Sequence, residues 1–318
     1  MLGQLQIGAD GVIHDKVEAA ITRLMAFEPE EGYYVAFSGG KDSQCVYHLC
    51  KMAGVKFDAH YNVTSVDPPE LIRFIKKNYP DVIWDYPKYP DGSVITMWNL
   101  IPRKQMPPTR LVRYCCQYFK ESSGKFRVTV TGVRWAESAR RATSHGVATF
   151  YGKQKETEKI AQEMGTDYKV NRVGNIILND DNEESRKMVE HCYRTRKTLV
   201  NPIVDWEEED VWEFLNGNGI EHCCLYDRGN KRLGCIGCPM DSTAAADLEK
   251  YPVYKKNYIK AFDRMLENMR KKGTVIKNNW TDGEAVMRWW LQEEPDLTHE
   301  EAEQLMDLPY GFLDPKND

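Results

Sequence analysis

The chain has 318 residues, 42% of them hydrophobic, and a formal net charge of −5 at pH 7. A chain of this length can bury a large core, as one large domain or two smaller ones. The negative charge excludes a globally basic nucleic-acid-binding protein, although a local basic patch remains compatible with it. The first ten residues do not resemble a signal peptide, and no apolar run approaches the ~20 residues of a membrane span. We therefore expect a soluble, cytoplasmic protein with no membrane partner, whose nine cysteines are metal ligands, catalytic groups or buried residues rather than disulfides.

The first predicted elements are a helix over Asp15–Phe27, a strand from Tyr33 to Phe37 and a second helix that begins near Asp42. The turn between that strand and the second helix reads Ser38-Gly39-Gly40-Lys41-Asp42-Ser43. Two glycines there allow backbone N–H groups to converge on an anion at the positive end of the helix dipole. Lys41 adds a charge, and Ser38 and Ser43 add hydroxyl donors. The sequence therefore predicts a phosphate site, although the Walker A spacing and the dinucleotide fingerprint are both absent.

Further strands and helices alternate along the chain, with strands predicted at Val55–Val63 and Val82–Tyr86 and a helix at Leu71–Asn78. This order indicates an α/β fold with a doubly wound, mostly parallel Rossmann-like sheet, whose ligands lie at the carboxyl ends of the strands. The loop at Thr64 is expected to meet the Ser38 loop there. Residues 87–113 are predicted to be a basic loop.

A fourth strand, Arg127–Thr131, leads into Gly132-Val133-Arg134 and then Ser138 and Arg141. Guanidinium groups bind phosphate or sulfate through two hydrogen bonds, so this end of the strand suits a second anionic group. Later elements are a strand at 176–178, helices at 183–194 and 208–215, a long helix over 254–271, and two capping boxes at Thr281 and Thr298. We place the nucleotide-binding domain at residues 1–215 and a mainly helical C-terminal region, with a cluster-binding loop, at 216–318. Trp289 and Trp290 are interpreted as core or docking residues.

The cysteines form two groups that suit a metal site. Cys235 and Cys238 form a C-x-x-C motif with a glycine inside it, and Cys115 and Cys116 provide a second pair. Four thiolates suit either tetrahedral zinc or a [4Fe–4S] cluster, and the spacing is compatible with both. Cys224 is an alternative ligand, and Cys223 is a candidate reactive thiol.

Several of these motifs occur together in an order that resembles the phosphoadenosine phosphosulfate reductase family, within the adenine nucleotide α-hydrolases. They are the Ser38–Ser43 loop, Pro69-Glu70, Cys115-Cys116 with Lys120, Gly132-x-Arg134-x-x-x-Ser138-x-x-Arg141, Pro202-x-x-x-Trp206 and the stretch from Leu225 to Cys238. The resemblance covers about residues 33–239. It implies that the loop binds the phosphates of ATP or an adenylyl sulfate. It also implies a [4Fe–4S] cluster on Cys115, Cys116, Cys235 and Cys238, with zinc as the alternative.

Two departures from the family affect the expected reaction. The family's reductases carry a nucleophilic cysteine in a C-terminal E-C-G-L-H motif, but residues 240–318 contain no cysteine. The second departure is a pair of additional thiols, Cys223 and Cys224, near the C-x-x-C motif.

The preferred hypothesis resembles the sulfur-transfer members of the superfamily that modify tRNA or DNA. It is a sulfurtransferase that adenylates its acceptor with ATP and Mg²⁺, releases pyrophosphate, and then displaces AMP with sulfur held on the cluster or on a cysteine. In this hypothesis the nucleotide lies on Ser38, Gly39, Gly40, Lys41, Asp42, Ser43, Thr64, Arg134, Ser138 and Arg141, and the catalytic residues are Lys41, Asp42, Arg134 and Cys223. The expected acceptor is tRNA, DNA or a small molecule, with a cysteine desulfurase or thiol reductant as partner. The alternatives are an adenylyl sulfate or phosphoadenylyl sulfate reductase, with Cys223 as its only in-chain thiol candidate, and a nucleotide-sensing module without catalysis.

Overall fold

The structure is a computed structural model that describes residues 5–7, 13–121, 123–194, 197–276 and 280–292. The strands are β1 (Leu5–Ile7), β2 (Ile13–Asp15), β3 (Tyr33–Ala36), β4 (Phe57–Asn62), β5 (Ile83–Asp85), β6 (Val128–Val130), β7 (Ala148–Tyr151), β8 (Lys169–Val170), β9 (Ile176–Leu178) and β10 (Lys197–Val200). The helices are α1 (Lys16–Ala26), α2 (Lys41–Ala53), α3 (Pro69–Asn78), α4 (Met97–Lys104), α5 (Tyr114–Cys116), α6 (Ala139–Ser144), α7 (Gln154–Glu163), α8 (Glu183–Cys192), α9 (Glu208–Gly217), α10 (Ala244–Lys250), α11 (Pro252–Lys271) and α12 (Gly283–Gln292). A π-helical turn, Gln117–Glu121, follows α5, and a 3₁₀ turn, Trp135–Glu137, precedes α6.

The central sheet has eight strands in the order β5-β4-β3-β6-β10-β7-β9-β8. Strand β3 pairs in parallel with β4 and with β6, and β10 pairs in parallel with β6. Strands β7, β9 and β8 extend the sheet in antiparallel fashion. The predicted class, an α/β fold with a mostly parallel sheet and a helical C-terminal region, is confirmed.

The chain forms two compact units, each assembled from several stretches of sequence. The first unit contains Met1–Tyr61, Glu70–Trp84 and Gly124–Leu233, and the second contains Asn62–Pro69, Asp85–Ser123 and Gly234–Asp318. The division predicted from the sequence was a single cut after residue 215. Local sequence patterns cannot show that Asn62–Pro69 and Asp85–Ser123 belong to the same unit as the C-terminal helices.

The second unit has its own hydrophobic core around the long helix α11. The predicted apolar face of this helix is buried, with Tyr258 and Phe262 each 1% exposed or less. Trp290 packs on Tyr258 with their ring centroids 4.8 Å apart, as expected for a core residue. Helix α4 packs against α11 in the same core.

Two local predictions in this unit were wrong, and a third lies outside the described residues. Residues 87–113 are not all loop, because Met97–Lys104 forms helix α4 despite Pro102 inside it. Burial of Leu100 and Ile101 stabilises the helix by more than the proline inside it destabilises it. Helix α12 is capped by Asp282, whose carboxylate accepts from Ala285 N at 2.8 Å, and not by Thr281. The capping box predicted at Thr298 lies outside the described residues. Among the described helices, none is long and apolar enough to cross a membrane.

Candidate nucleotide-binding site

The turn from β3 to α2 adopts a conformation that requires glycine. Gly39 has φ of +71°, a left-handed conformation that a side chain disfavours. A Cβ at this position would also lie 2.7 Å from the side chain of Ile75 and 2.8 Å from that of Leu71. The loop therefore lies directly against α3, and helix α2 begins at Lys41, one residue before the predicted start.

Hydrogen bonds fix the shape of this loop. The Ser43 hydroxyl donates to the Gly40 carbonyl at 2.8 Å and accepts from the Ser38 N–H at 3.1 Å. The Lys41 N–H donates to the Tyr226 hydroxyl at 2.9 Å. Burial raises the pKa of Tyr226, so its hydroxyl stays protonated at neutral pH. The first turn of α2 is thus held by groups that do not depend on a ligand.

The loop after β6 lies beside the β3 turn because these strands are neighbours in parallel register, with Val35 opposite Val130. A Cβ on Gly132 would come within 2.8 Å of the carbonyl carbon of Asp42. The two loops enclose a cavity of about 190 Å³. It is lined by Ala36, Ser38, Gly40, Lys41, Asp42, Ser43, Gly132, Val133, Glu137, Arg141, Tyr226, Arg232 and Leu233. The sequence-based expectation that the ligand site lies at the carboxyl ends of the strands matches this position.

Two buried cations lie at the start of α2. Lys41 is 3% exposed and Arg134 is 2% exposed. The Arg134 guanidinium donates to Asp42 at 2.6 Å, to Glu208 at 2.8 Å and to the Trp206 carbonyl at 3.3 Å. Burial opposes its charge, but the two carboxylates outweigh that effect and hold its pKa above the usual value. The guanidinium therefore stays charged and fixed in place.

The predicted residues Ser138 and Arg141 lie at the start of α6, after the loop that follows β6. The Ser138 hydroxyl caps α6 by accepting from the Arg141 N–H at 3.2 Å. The Arg141 guanidinium pairs with Glu137, and Arg232 pairs with the same carboxylate at 3.3 Å. Ser138 thus has a structural role, whereas Arg141 and Arg232 bring positive charge to the cavity wall.

The adjacent cysteines Cys223 and Cys224 differ in accessibility. Cys223 is fully buried, and burial raises the pKa of its thiol, whereas Cys224 is exposed. In this conformation only Cys224 is open to a reaction partner. That difference favours Cys224 over Cys223 as the accessible thiol of the first unit.

The remaining predicted ligands lie in the second unit. The Cys235 thiol donates to the Thr64 hydroxyl at 3.7 Å, so Thr64 contacts a predicted metal ligand. The C-x-x-C turn is closed by a Cys238 N–H to Cys235 carbonyl hydrogen bond of 3.2 Å. Gly237 inside the turn has φ of +69°, which explains the glycine in the motif. Tyr258 donates to the Ile236 carbonyl at 3.1 Å and anchors the turn to α11.

Lys120 provides positive charge among the four thiols. The thiol of Cys235, followed by those of Cys116 and Cys238, raises the pKa of Lys120 despite its desolvation. A hydrogen bond with Cys115 lowers the pKa of Cys116, and burial works against this while Lys120 assists it. In the described part of the chain, no three His, Cys, Asp or Glu side chains are arranged to hold a metal ion. The thiols fit a cluster or zinc in donor type and in their cationic surroundings.

A larger depression of about 850 Å³ lies elsewhere in the first unit, along the second half of α2. It is lined in part by Tyr47, His48, Tyr79 and Asp81. None of the predicted site residues lines it.

Sequence reasoning did not assign a role to Tyr226, Glu208 or Arg232. Tyr226 lies inside the Leu225–Cys238 stretch that carries the family resemblance, so that motif was an available signal. Arg232 lies in the same stretch, whereas Glu208 lies outside the motifs and had no comparable signal.

Comparison with known proteins supports the family suggested by the motifs. An uncharacterized protein of Methanocaldococcus jannaschii is 22% identical over 284 residues, covering 86% of this chain and 54% of the relative. The adenosine 5'-phosphosulfate reductase of Oceanobacillus iheyensis is 32% identical over 54 residues, which are 17% of this chain and 22% of that enzyme. The chain thus spans about half the length of the first relative.

Among solved structures, an FMN adenylyltransferase of Candida glabrata, in complex with FMN and an ATP analogue, matches with a TM-score of 0.37 and 14% identity. That match covers 73% of this chain and 68% of the adenylyltransferase. Residues 32–241 match the model of the phosphoadenosine phosphosulfate reductase domain. The matched stretch runs from the strand before the Ser38 loop to just past the C-x-x-C motif, and the chain belongs to the phosphoadenosine phosphosulfate reductase family.

Proposed function

We propose that this chain binds the phosphates of an adenine nucleotide at the Ser38–Ser43 loop and uses the nucleotide in sulfur transfer. The observation that carries the nucleotide site is the cavity where the turns after β3 and β6 meet, which is lined on the loop side by Ser38, Gly40, Lys41 and Ser43. Arg141 and Arg232 line the same cavity. Backbone donors, a helix N-terminus and fixed cations form the combination that binds polyphosphate.

The chain's own residues would act mainly through charge and position. The loop N–H groups and Lys41 would bind the β- and γ-phosphates of ATP, with Mg²⁺ as their accompanying cation. Attack of the acceptor oxygen on the α-phosphorus would release pyrophosphate, whose charge the same groups stabilise. Arg134 would hold Asp42 and the first turn of α2 in place, and Arg141 would contact the rest of the nucleotide or the acceptor.

The thiol site in the second unit is proposed to hold a [4Fe–4S] cluster on Cys115, Cys116, Cys235 and Cys238, with zinc as the alternative. The support is the donor set and Lys120, whose charge favours ionised thiols. A bound cluster would supply redox and sulfur-binding chemistry. Thr64 and Tyr258 would orient the C-x-x-C turn through their contacts with Cys235 and Ile236.

The second candidate is reduction of an adenylyl sulfate. It is favoured by the similarity to a segment of adenosine 5'-phosphosulfate reductases. The absence of a cysteine from residues 240–318 weakens it, because the thiol that would accept the sulfonate must then come from elsewhere. The third candidate, a nucleotide sensor, would bind without turnover.

A nucleic-acid acceptor would contact the basic stretch between Arg103 and Lys120. Part of its charge is engaged within the second unit, because Arg103 stacks over Tyr89 at 3.8 Å and Arg110 donates to the Pro239 carbonyl at 3.1 Å. A tRNA or DNA acceptor predicts binding that weakens steeply with salt. If filter binding detects no association at low salt, a polynucleotide acceptor loses its main support.

Two measurements test the proposed function. The first is iron and acid-labile sulfide in anaerobically purified protein, with Cys116→Ala and Cys235→Ala compared with Cys50→Ala as a control outside the thiol site. We expect about four irons per chain, retained only in wild type and Cys50→Ala. Zinc or no metal would refute the cluster.

The second measurement follows nucleotide products. Pyrophosphate released from ATP indicates adenylation, and sulfite released from an adenylyl sulfate indicates reduction. Lys41→Met should abolish whichever activity occurs, because it removes the loop's only lysine. Binding of ATP with neither product would identify a sensor, and no binding of either nucleotide would refute the proposal.

A further inference from the structure

Glu208 occupies an unusual place for an acidic residue. It begins helix α9, and its carboxylate lies between the two buried cations of the site, 3.3 Å from Lys41 Nζ and 2.8 Å from Arg134 Nη2. The Trp212 ring N–H donates to the same carboxylate at 3.2 Å. Three groups from three parts of the first unit thus bind one carboxylate.

The exposure of these groups shows which of them can move. The side chains of Lys41 and Arg134 are 4% and 3% exposed, whereas that of Glu208 is 48% exposed. The carboxylate therefore covers two buried cations from the solvent side. Of these three residues Lys41 lines the cavity of the proposed nucleotide site, so Glu208 occupies a charge that the phosphates would use.

We propose that Glu208 is a resident counter-ion, which a polyphosphate ligand must displace from Lys41, and that this displacement sets the affinity of the site. The inference rests on the proposed nucleotide site and deepens it. Arg134 keeps Asp42 as a partner at 2.6 Å when Glu208 leaves. Lys41 keeps Asp42 at 3.6 Å and the Lys231 carbonyl at 3.3 Å.

This arrangement sets a threshold for binding. Displacement of the tethered carboxylate costs every anion the same free energy, so an anion binds measurably only if its own attraction to the site exceeds that cost. Pyrophosphate brings more charge than sulfate and therefore exceeds the threshold more readily. Glu208 thus lowers the affinity of the site for all anions and leaves only strongly charged ones bound.

The test is the affinity for inorganic pyrophosphate and for sulfate, measured by calorimetry on the full chain. Glu208→Gln keeps the shape and an acceptor for Trp212, but removes the charge. We expect both pyrophosphate and sulfate to bind about fivefold to tenfold more tightly, because both displace the same carboxylate. Glu208→Asp, whose shorter side chain cannot span both cations, should produce a smaller gain.

The matched control is Glu209→Gln, which removes the same charge from the next, exposed position of α9 and should leave both affinities unchanged. Equal tightening in both variants would reveal only a general charge effect and would overturn the proposal. Unchanged or weaker binding in Glu208→Gln would also overturn it, because Glu208 would then act with the ligand. If wild type and both variants fail to bind pyrophosphate, the proposed nucleotide site itself is wrong.

Discussion

Replacement of Gly132 by alanine tests the contact that joins the loop after β6 to the start of α2. A Cβ there would lie 2.8 Å from the carbonyl carbon, 2.9 Å from the carbonyl oxygen and 3.0 Å from the Cβ of Asp42. Two of these atoms belong to helix backbone, which cannot rotate away as a side chain can. We expect Gly132→Ala to lower the free energy of unfolding by about 1 to 3 kcal/mol, as overpacking in a tight contact does.

Urea denaturation followed by circular dichroism measures this loss, and calorimetry with pyrophosphate measures its effect on the site. Gly217→Ala is the matched control, because no atom lies within 4 Å of a Cβ at that position. The control should keep wild-type stability or exceed it slightly. If Gly132→Ala unfolds within about 0.5 kcal/mol of wild type and binds pyrophosphate equally well, the close approach of the two loops is incorrect.

Three further predictions concern stability. Arg134→Met should cost about 2 to 3 kcal/mol in urea unfolding, because it leaves the Asp42 carboxylate without its guanidinium; a midpoint equal to wild type would contradict this. Burial, followed by the charge of Lys51, lowers the pKa of His48 to about 4. The stability that neutral His48 contributes to the folded state is therefore complete above the unfolded pKa of about 6.5 and is lost as the pH falls toward 4. His48→Gln should remove about 1 to 2 kcal/mol of that pH dependence, and an unchanged pH profile would refute it. Asn182→Ala, which deletes the cap of α8, should lower stability by about 1 kcal/mol, a value that thermal unfolding can check.

Short-range sequence signals were sufficient for the parallel part of the fold. A continuous apolar run and a Gly-Gly turn identified β3 and α2, and the helix began within one residue of the expected position. Strands β7 and β10, of four residues each, were not predicted. Their pairing partners are remote in sequence, and pairing with those partners, rather than a local pattern, defines them as strands.

Sequence patterns likewise predicted some residues of the candidate site and missed others. The loop residues and Arg134 follow strands directly, so their position at the sheet edge follows from topology. Tyr226 and Glu208 approach the same loop from positions more than 160 residues away in the chain. Cys223 and Cys224 could not be distinguished in sequence, because the burial of one and the exposure of the other depend on tertiary packing.

The two thiol pairs of the second unit come from chain segments separated by the whole 124–233 stretch of the first unit. A cofactor held by both pairs would join Cys116 to Cys235 across about 120 residues, and such a cross-link would remove about 5 kcal/mol of conformational entropy from the unfolded chain. Loading would also have to wait until Cys238 has left the ribosome, when most of the first unit is already synthesised. Iron limitation would then lower the amount of folded protein before it lowered the activity of each folded molecule.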